Sequence, residues 1–298
     1  MKIVFFSLLF IPLIMAEVTY GANAAEIGNT PDEKAEDVER MVAEFVGLLS
    51  SKDCSQRKGA IFTYLPKFVS AQNPFLYLSA LKTQRAQSQE PLKEKLSVII
   101  NYTEMEARFR KEREEKLFFH NLLRTVKSLN ERAKRLEEIK KLYLKIIKDK
   151  REDIITRSMA LGNMIFAIDR LYSPDRAERE EYGTQFTVEW ADEVLKLLKD
   201  RDTTVRLITA LAIGQGGGLR GKVINKAHII EEILQGLRNE SFVLRWSSQK
   251  TLEEMIDQHI CIDPTDRLKE REQGIKQWEM WWKINKSKFA REKLIRKG

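Results

Sequence analysis

A glycine-rich segment at residues 216–223 has a spacing often associated with phosphate binding. It fits both G-x-G-x-x-G and G-x-x-x-x-G-K, and backbone N–H groups that converge in such loops can hold a phosphate. A nucleotide-binding loop also needs Ser or Thr after the lysine to hold Mg²⁺, and it should follow a strand. Val223 occupies that position here, and residues 205–213 have a helical pattern. The segment therefore predicts a loop from residue 214 onward, after a glycine stop that follows Ile213.

Other residues with reactive side chains are scattered. The three histidines, His120, His228 and His259, lie in no metal-binding arrangement, and there is no G-x-S-x-G motif. The carboxylates alternate with Lys and Arg in patterns typical of surface ion pairs on helices. We therefore assign no catalytic, cofactor-binding or metal-binding residue. A pair of glutamates acting as in a glycosidase stays open.

The first 24 residues have the layout of a signal peptide. Lys2 gives a positive start, an apolar run of about 13 residues follows, and Ala22 and Ala24 are the small residues before a cleavage site. A membrane-spanning helix needs about 20 apolar residues, although an uncleaved anchor stays open. We expect cleavage near Ala24 and a periplasmic or secreted protein.

The mature chain has two cysteines, Cys54 and Cys261. They form no C-x-x-C or zinc-site spacing. Export would permit a disulfide. Cysteines near opposite ends of a long chain are more often independent buried thiols, so that reading is favoured, and whether the two are bonded stays open.

The formal charge of +8 is unevenly distributed. Residues 93–151 contain 18 basic and 10 acidic side chains (net +8), and residues 267–297 contain 11 and 4 (net +7). An exported protein rarely meets nucleic acid, so we expect no such partner. Segment 92–150 is instead a candidate for binding an anionic polymer or lipid surface, through Lys134, Arg135, Lys140, Lys141 and Lys145. The alternative is that alternating Lys and Glu only solvate long helices.

Apolar residues recur at steps of three and four through most of the chain, which predicts an all-α fold with little β-structure. Residues 25–91 are predicted to form one or more helical pairs. Residues 92–150 are predicted to form a long basic helical hairpin, with a heptad seam at Leu122, Leu129, Leu136 and Tyr143. Residues 151–298 contain shorter helices separated by turn signals.

A short pattern recurs when the chain is compared with itself. Residues 48–57 align without gaps on residues 197–206, matching two leucines, an Asp and an Arg four residues later. These are Asp53 with Arg57 and Asp202 with Arg206. Two looser copies are Asp153 with Arg157, and Arg245, which follows Ser241 instead of an Asp.

This pattern resembles the HEAT repeat, a pair of antiparallel helices with an Asp in the turn and an Arg early in the second helix. The resemblance is clearest over residues 150–260, with a fragment at 35–70, and it implies an α-solenoid with the 92–150 hairpin inserted. In such a fold the Asp caps the new helix and the Arg reaches neighbouring turns. The apolar faces form one core only when the units stack. An irregular helical bundle is the alternative.

Three tryptophans, Trp278, Trp281 and Trp282, lie on one face of the last helix. The resulting W-x-x-W-W helix is similar to the terminal helix of several bacterial HEAT-like proteins. We expect the stripe to cap the open apolar end of the stack. An exposed aromatic platform for sugars is the alternative reading.

Together these features predict a non-enzymatic exported scaffold that binds a protein or peptide. The alternatives are an enzyme acting on cell-wall or polysaccharide material and an electrostatic binder of anionic polymer or lipid.

Overall fold

The computed structural model describes residues 34–71, 73–117, 129–171, 180–216, 219 and 222–294. The predicted signal peptide at 1–24 and the tip of the predicted hairpin at 118–128 lie outside these residues. The described part is all-α, as predicted, with eleven helices and one pair of two-residue strands. The helices are α1 Ala35–Leu49, α2 Cys54–Ser70, α3 Pro74–Gln87, α4 Leu92–Leu117, α5 Leu129–Lys148, α6 Ile154–Leu171, α7 Glu180–Leu197, α8 Thr203–Gly216, α9 Lys226–Gly236, α10 Phe242–Ile256 and α11 Leu268–Phe289.

The first three helices form an aromatic-rich cluster. α1 begins with acidic residues, which suit a helix N-terminus, and it buries one apolar stripe that includes Val42 and Phe45. The Phe68 ring of α2 contacts the Phe45 ring edge-on, with 5.2 Å between the ring centroids. It also stacks on the Tyr77 ring, with 5.0 Å between the centroids. Such pairs add stability beyond their buried area.

The later helices pack on one another in chain order. α5 packs on α6, α6 on α7, α8 on α9 and α9 on α10, while α11 packs on α9. Three of them, α6, α8 and α10, also form a row in which each contacts the next. These are the helices that begin after the turns with Asp153, Asp202 and Ser241.

Two N-terminal helices lie against this row. α4 packs on α2 and α3, and it also contacts α6 and α10. The ring of Trp246 in α10 lies 6.2 Å from that of Phe62 in α2 and 6.1 Å from that of Tyr102 in α4. As a result α10 is buried on nearly its whole circumference, including polar residues such as Ser248 and Gln249.

Close helix packing corrects one sequence prediction. α8 continues to Gly216, so the predicted break after Ile213 is wrong. Gly214 lies where α8 approaches α10, and a Cβ there would come within 2.8 Å of Met255 Sδ and 2.9 Å of Thr251 Cγ2. The glycine allows close approach of two helices rather than ending one.

The minor β-structure pairs Ile224 with Leu294 and Asn225 with Lys293 in antiparallel register. It ties the segment before α9 to the end of α11. Among the described helices, none combines the length and apolar character that a membrane span requires.

Candidate functional site

Five of the helices whose preceding turn is described carry an arginine at their fourth residue. They are α2, α6, α8, α10 and α11, and the arginines are Arg57, Arg157, Arg206, Arg245 and Arg271. The first four were predicted from the sequence. Arg271 was missed because no aspartate lies four residues before it: Arg267 stands at that position.

Three of these arginines fold back in the same way. The Nη1 groups of Arg57, Arg206 and Arg245 each donate to the carbonyls five and six residues earlier. For Arg57 these are Lys52 and Ser51, at 3.0 and 2.9 Å. Carbonyls after a helix end have no intrahelical donor, so the guanidinium satisfies the turn that precedes its own helix.

The aspartates of the pattern cap the helices. Asp53 accepts from the backbone N–H of Ser55, and Asp202 from that of Thr204, both at 2.8 Å. Asp153 accepts from Ile155 and Thr156 at 3.0 Å. These bonds satisfy donors that a helix N-terminus leaves free.

The copy without an aspartate uses another residue. The Ser241 side chain makes no capping bond, and Asn239 instead accepts from the Ser241 backbone N–H at 2.9 Å. An asparagine two residues earlier therefore stabilises the turn in this copy.

The arginines also connect one unit to another. Arg157 Nη2 donates to Asp202 Oδ2 at 3.2 Å across 45 residues of sequence. Arg245 donates through Nε and Nη2 to the Pro264 carbonyl at 3.0 and 2.8 Å. Arg206 and Glu232 are more loosely paired at 3.4 Å. The guanidinium groups thus link α6 to α8, and α10 to the loop before α11.

A fully buried carboxylate, that of Asp263, lies in this loop, where the chain returns to its N-terminal helices. We call Asp263, Asp266, Arg57 and Lys95 the Asp263 junction. The Asp263 side chain is fully buried, and its Oδ2 accepts from Lys95 Nζ at 2.6 Å and from Arg57 Nε at 2.9 Å. Its Oδ1 accepts from the Thr265 backbone at 2.9 Å and hydroxyl at 2.5 Å. Lys95 also bonds Asp266.

The two carboxylates of the junction have opposite pKa shifts. Burial alone would raise the pKa of Asp263, but the charge and hydrogen bond of Lys95, together with Thr265, hold it below its usual value. Burial and the charge of Asp263 raise the pKa of Asp266. Asp263 is therefore the firmly ionised partner of the pair.

Two buried guanidinium groups flank the junction. Arg245 and Arg271 both donate to backbone carbonyls. Burial, and then the charge of Arg271, lower the pKa of Arg245 to about 10, and burial lowers the pKa of Arg271. Each group remains charged at neutral pH and stabilises carbonyls around the loop.

A disulfide connects α2 to the same loop before α11. Cys54 and Cys261 are bonded, with 6.1 Å between their Cα atoms, so the favoured reading of independent thiols is wrong. The prediction relied on their separation of 207 residues. The fold places the first residue of α2 beside the loop that carries Asp263.

A second charged group extends the contact between α2 and α10. Lys58 Nζ donates to Glu253 at 2.6 Å. Gln249 donates to Glu253 and, at 2.7 Å, to the Ile260 carbonyl. His259 lies 3.5 Å from the same carboxylate. The carboxylate thus binds groups from α2, α10 and the following loop.

This arrangement suits structure better than catalysis. Both oxygens of Asp263 are occupied by donors from the protein, so neither has a free lone pair aimed at a substrate. Within the described ranges, no group of His, Cys, Asp and Glu side chains is placed to hold a metal ion.

Of the five cations predicted to bind an anionic surface, Arg135, Lys140 and Lys141 are paired with carboxylates. Lys140 lies 2.6 Å from Glu137, Arg135 lies 3.4 Å from Glu138, and Lys141 lies 4.0 Å from Glu137. Lys134 and Lys145 are exposed. This pairing favours the reading in which Lys and Glu solvate the helix.

The side chains of the three terminal tryptophans are buried or half-buried. Trp278 and Trp282 are buried and Trp281 is half-buried, with the Trp282 ring 5.7 Å from Phe289. Two buried indoles have no face to offer a sugar, so the capping role stays the better prediction.

Comparison of the chain with family models, with curated proteins and with solved structures found no match.

Proposed function

We propose that the protein is an exported, non-enzymatic scaffold built from HEAT-like helical units. Its N-terminal helices pack on the row of α6, α8 and α10 and are held there by the disulfide and the Asp263 junction. The observation that carries the proposal is the arginine at the fourth residue of α2, α6, α8, α10 and α11. Three of these arginines repeat one set of bonds to the preceding turn. Recurrent local geometry of this kind is typical of stacked repeat units.

The disulfide supports export. Disulfides persist in oxidising compartments and are rare where thiols are kept reduced. Cys54–Cys261 therefore agrees with the signal-peptide layout of residues 1–24.

The fold also limits where a partner can bind. In stacked units the second helices, here α6, α8 and α10, would line a groove that a partner could enter. In this fold α4 contacts α6 and α10, and α2 contacts α10 through Phe62 and Lys58, so the N-terminal helices cover that face. A protein partner must use another surface of the described chain. Large apolar side chains are exposed at Phe75, Leu142 and Met280, at 57%, 42% and 60%.

Site-specific photocrosslinking tests this proposal. A photoreactive residue is placed at Phe75, Leu142 or Met280 and, as a matched internal control, at the buried Leu65. We expect one of the exposed positions to yield a discrete adduct in the native exported fraction, and the buried position to yield none. The scaffold proposal is contradicted if no position yields an adduct while the purified protein degrades peptidoglycan or another polysaccharide.

A further inference from the structure

The outer face of α11 differs in composition from the rest of that helix. Lys269, Lys276 and Lys283 recur every seven residues, and seven residues make about two helical turns. The three lysines therefore lie in one row, and all are exposed.

Two large apolar side chains lie beside this lysine row. Met280 and Ile284 are one turn apart, and they are 60% and 71% exposed. The opposite side of α11 is buried through Arg271, Ile275, Trp278 and Trp282. The helix thus has an inner face fixed in the core and an outer face that combines cations with apolar side chains.

Two acidic residues next to the row, Glu272 and Glu279, are already paired. Arg238 donates to Glu272 at 3.2 Å and to Glu279. Among described residues, Lys269 and Lys283 have no carboxylate within ion-pair distance, and Lys276 approaches Glu272 only to 3.9 Å. The outer face therefore presents net positive charge.

We propose that this outer face of α11 binds the surface of an anionic phospholipid bilayer. Lysines gain free energy near anionic headgroups, at about 1 kcal/mol for each, and apolar side chains on the same helix face can enter the boundary with the acyl chains. A second copy of the chain fits poorly, because a two-fold interface would set the lysine row against itself. A soluble acidic polymer would use the lysines but leave Met280 and Ile284 without a role.

Helix α5 offers a matched control. Lys134, Lys141 and Lys148 have the same seven-residue spacing and are exposed, but Lys141 and Lys148 lie 4.0 and 3.9 Å from Glu137 and Asp200. Changing either set of three lysines to glutamate alters the net charge of the protein equally. The two sets differ in their position and in the carboxylates that lie near the α5 lysines.

Co-sedimentation with vesicles tests the proposal, using phosphatidylcholine alone or mixed with phosphatidylglycerol. The wild-type protein should bind only the mixed vesicles, and binding should fall as salt rises, because screening shortens from about 10 Å at 0.1 M to about 3 Å at 1 M. The triple variant K269E/K276E/K283E should lose more than about tenfold in partitioning, while K134E/K141E/K148E should lose much less. Circular dichroism melts verify that each variant is folded.

The apolar pair separates a bilayer from an acidic polymer. M280S/I284S should weaken vesicle binding several-fold and leave binding to polyphosphate unchanged. Equal losses for the two lysine sets, binding to phosphatidylcholine alone, or an unchanged M280S/I284S variant would each overturn the proposal. These outcomes are independent of the photocrosslinking test of a protein partner.

Discussion

Two turns of the molecule contain an aspartate that caps the turn in the same way but pairs with cations at different distances along the sequence. Asp202 and Asp263 each accept a bond from the backbone N–H two residues later, at 2.8 and 2.9 Å. Asp202 then pairs with Arg157, 45 residues away, whereas Asp263 pairs with Lys95 and Arg57, 168 and 206 residues away. The first turn connects neighbouring helices, and the second connects the two ends of the described chain.

Burial separates the two turns further. The Asp202 side chain is 17% exposed and that of Asp263 is fully buried. Removing the fully buried carboxylate from between two largely buried cations costs more than losing a helix cap. The same residue type therefore contributes a local cap in one turn and the closure of the fold in the other.

The largest effect is expected at Asp263. Asp263→Ala removes the buried carboxylate that Lys95 and Arg57 share and leaves them only the more exposed Asp266, so the free energy of unfolding should fall by about 3–5 kcal/mol. Urea unfolding with the disulfide intact measures this change. Asp202→Ala is the matched comparison, with an expected loss of about 0.5–2 kcal/mol. Equal losses would remove the distinction between the two turns.

Removing the disulfide should have the next largest effect. Replacing Cys54 and Cys261 with serine should cost about 2–5 kcal/mol, because the bond constrains the chain over 207 residues of sequence. Thermal melts of the variant and of the reduced wild-type protein should agree. A variant as stable as the oxidised protein would show that the charged junction alone closes the fold.

Stability should depend on pH in opposite senses at the two carboxylates of the junction. The folded-state pKa of Asp263 is lowered, so its contribution is present above the unfolded value of about 3.9 and is lost as pH falls through the folded pKa. The folded-state pKa of Asp266 is raised, so its contribution is present below the unfolded value and is lost as pH rises through the folded pKa.

At pH 7, Asp263→Asn should therefore lower the free energy of unfolding and Asp266→Asn should raise it. Urea titrations at pH 7 and near pH 3 measure both, and the difference between the variants should shrink at the lower pH. A destabilising Asp266→Asn at pH 7 would contradict the assignment of Asp263 as the ionised partner.

The smallest effect concerns the coupling of Asp202 to Arg157, across 45 residues of sequence. Asp202 contacts Arg157 rather than Arg206, so a double-mutant cycle of Asp202→Ala with Arg157→Ala should show a coupling of about 0.5–2 kcal/mol. The cycle with Arg206→Ala should be close to additive. Greater coupling to Arg206 would mean that the contact between α6 and α8 contributes little.

The helix caps and most of the arginines that follow them could be predicted from the sequence, whereas the long-range ion pairs and the disulfide could not. An Asp and an Arg four residues apart identified Arg57, Arg157 and Arg206, because a cap and its helix are set by adjacent residues. Arg245 was identified by a looser match, in which Ser241 replaces the Asp. Asp263 and Arg267 have the same spacing, yet Arg267 is exposed and bonds Glu94 at 2.7 Å. Helix α11 begins only at Leu268, so Arg271 occupies the buried position.

No local pattern marks the partners of Asp263. Lys95 lies in a segment whose Lys and Glu residues are typical of a solvated helix, and only the packing of α4 against α2 and α10 buries it. The disulfide was missed for the same physical reason. Pairings across about 200 residues depend on how the helices pack, which the spacing of residues does not specify.

Hydrogen exchange of Asp263→Asn, with the disulfide intact, tests the central claim most directly. If the Asp263 junction holds the N-terminal helices on the row, amides of α2 and α4 should lose protection together with those of α11, while α7 and α8 keep theirs. Loss confined to residues 257–267, or spread equally over all helices, would contradict the account.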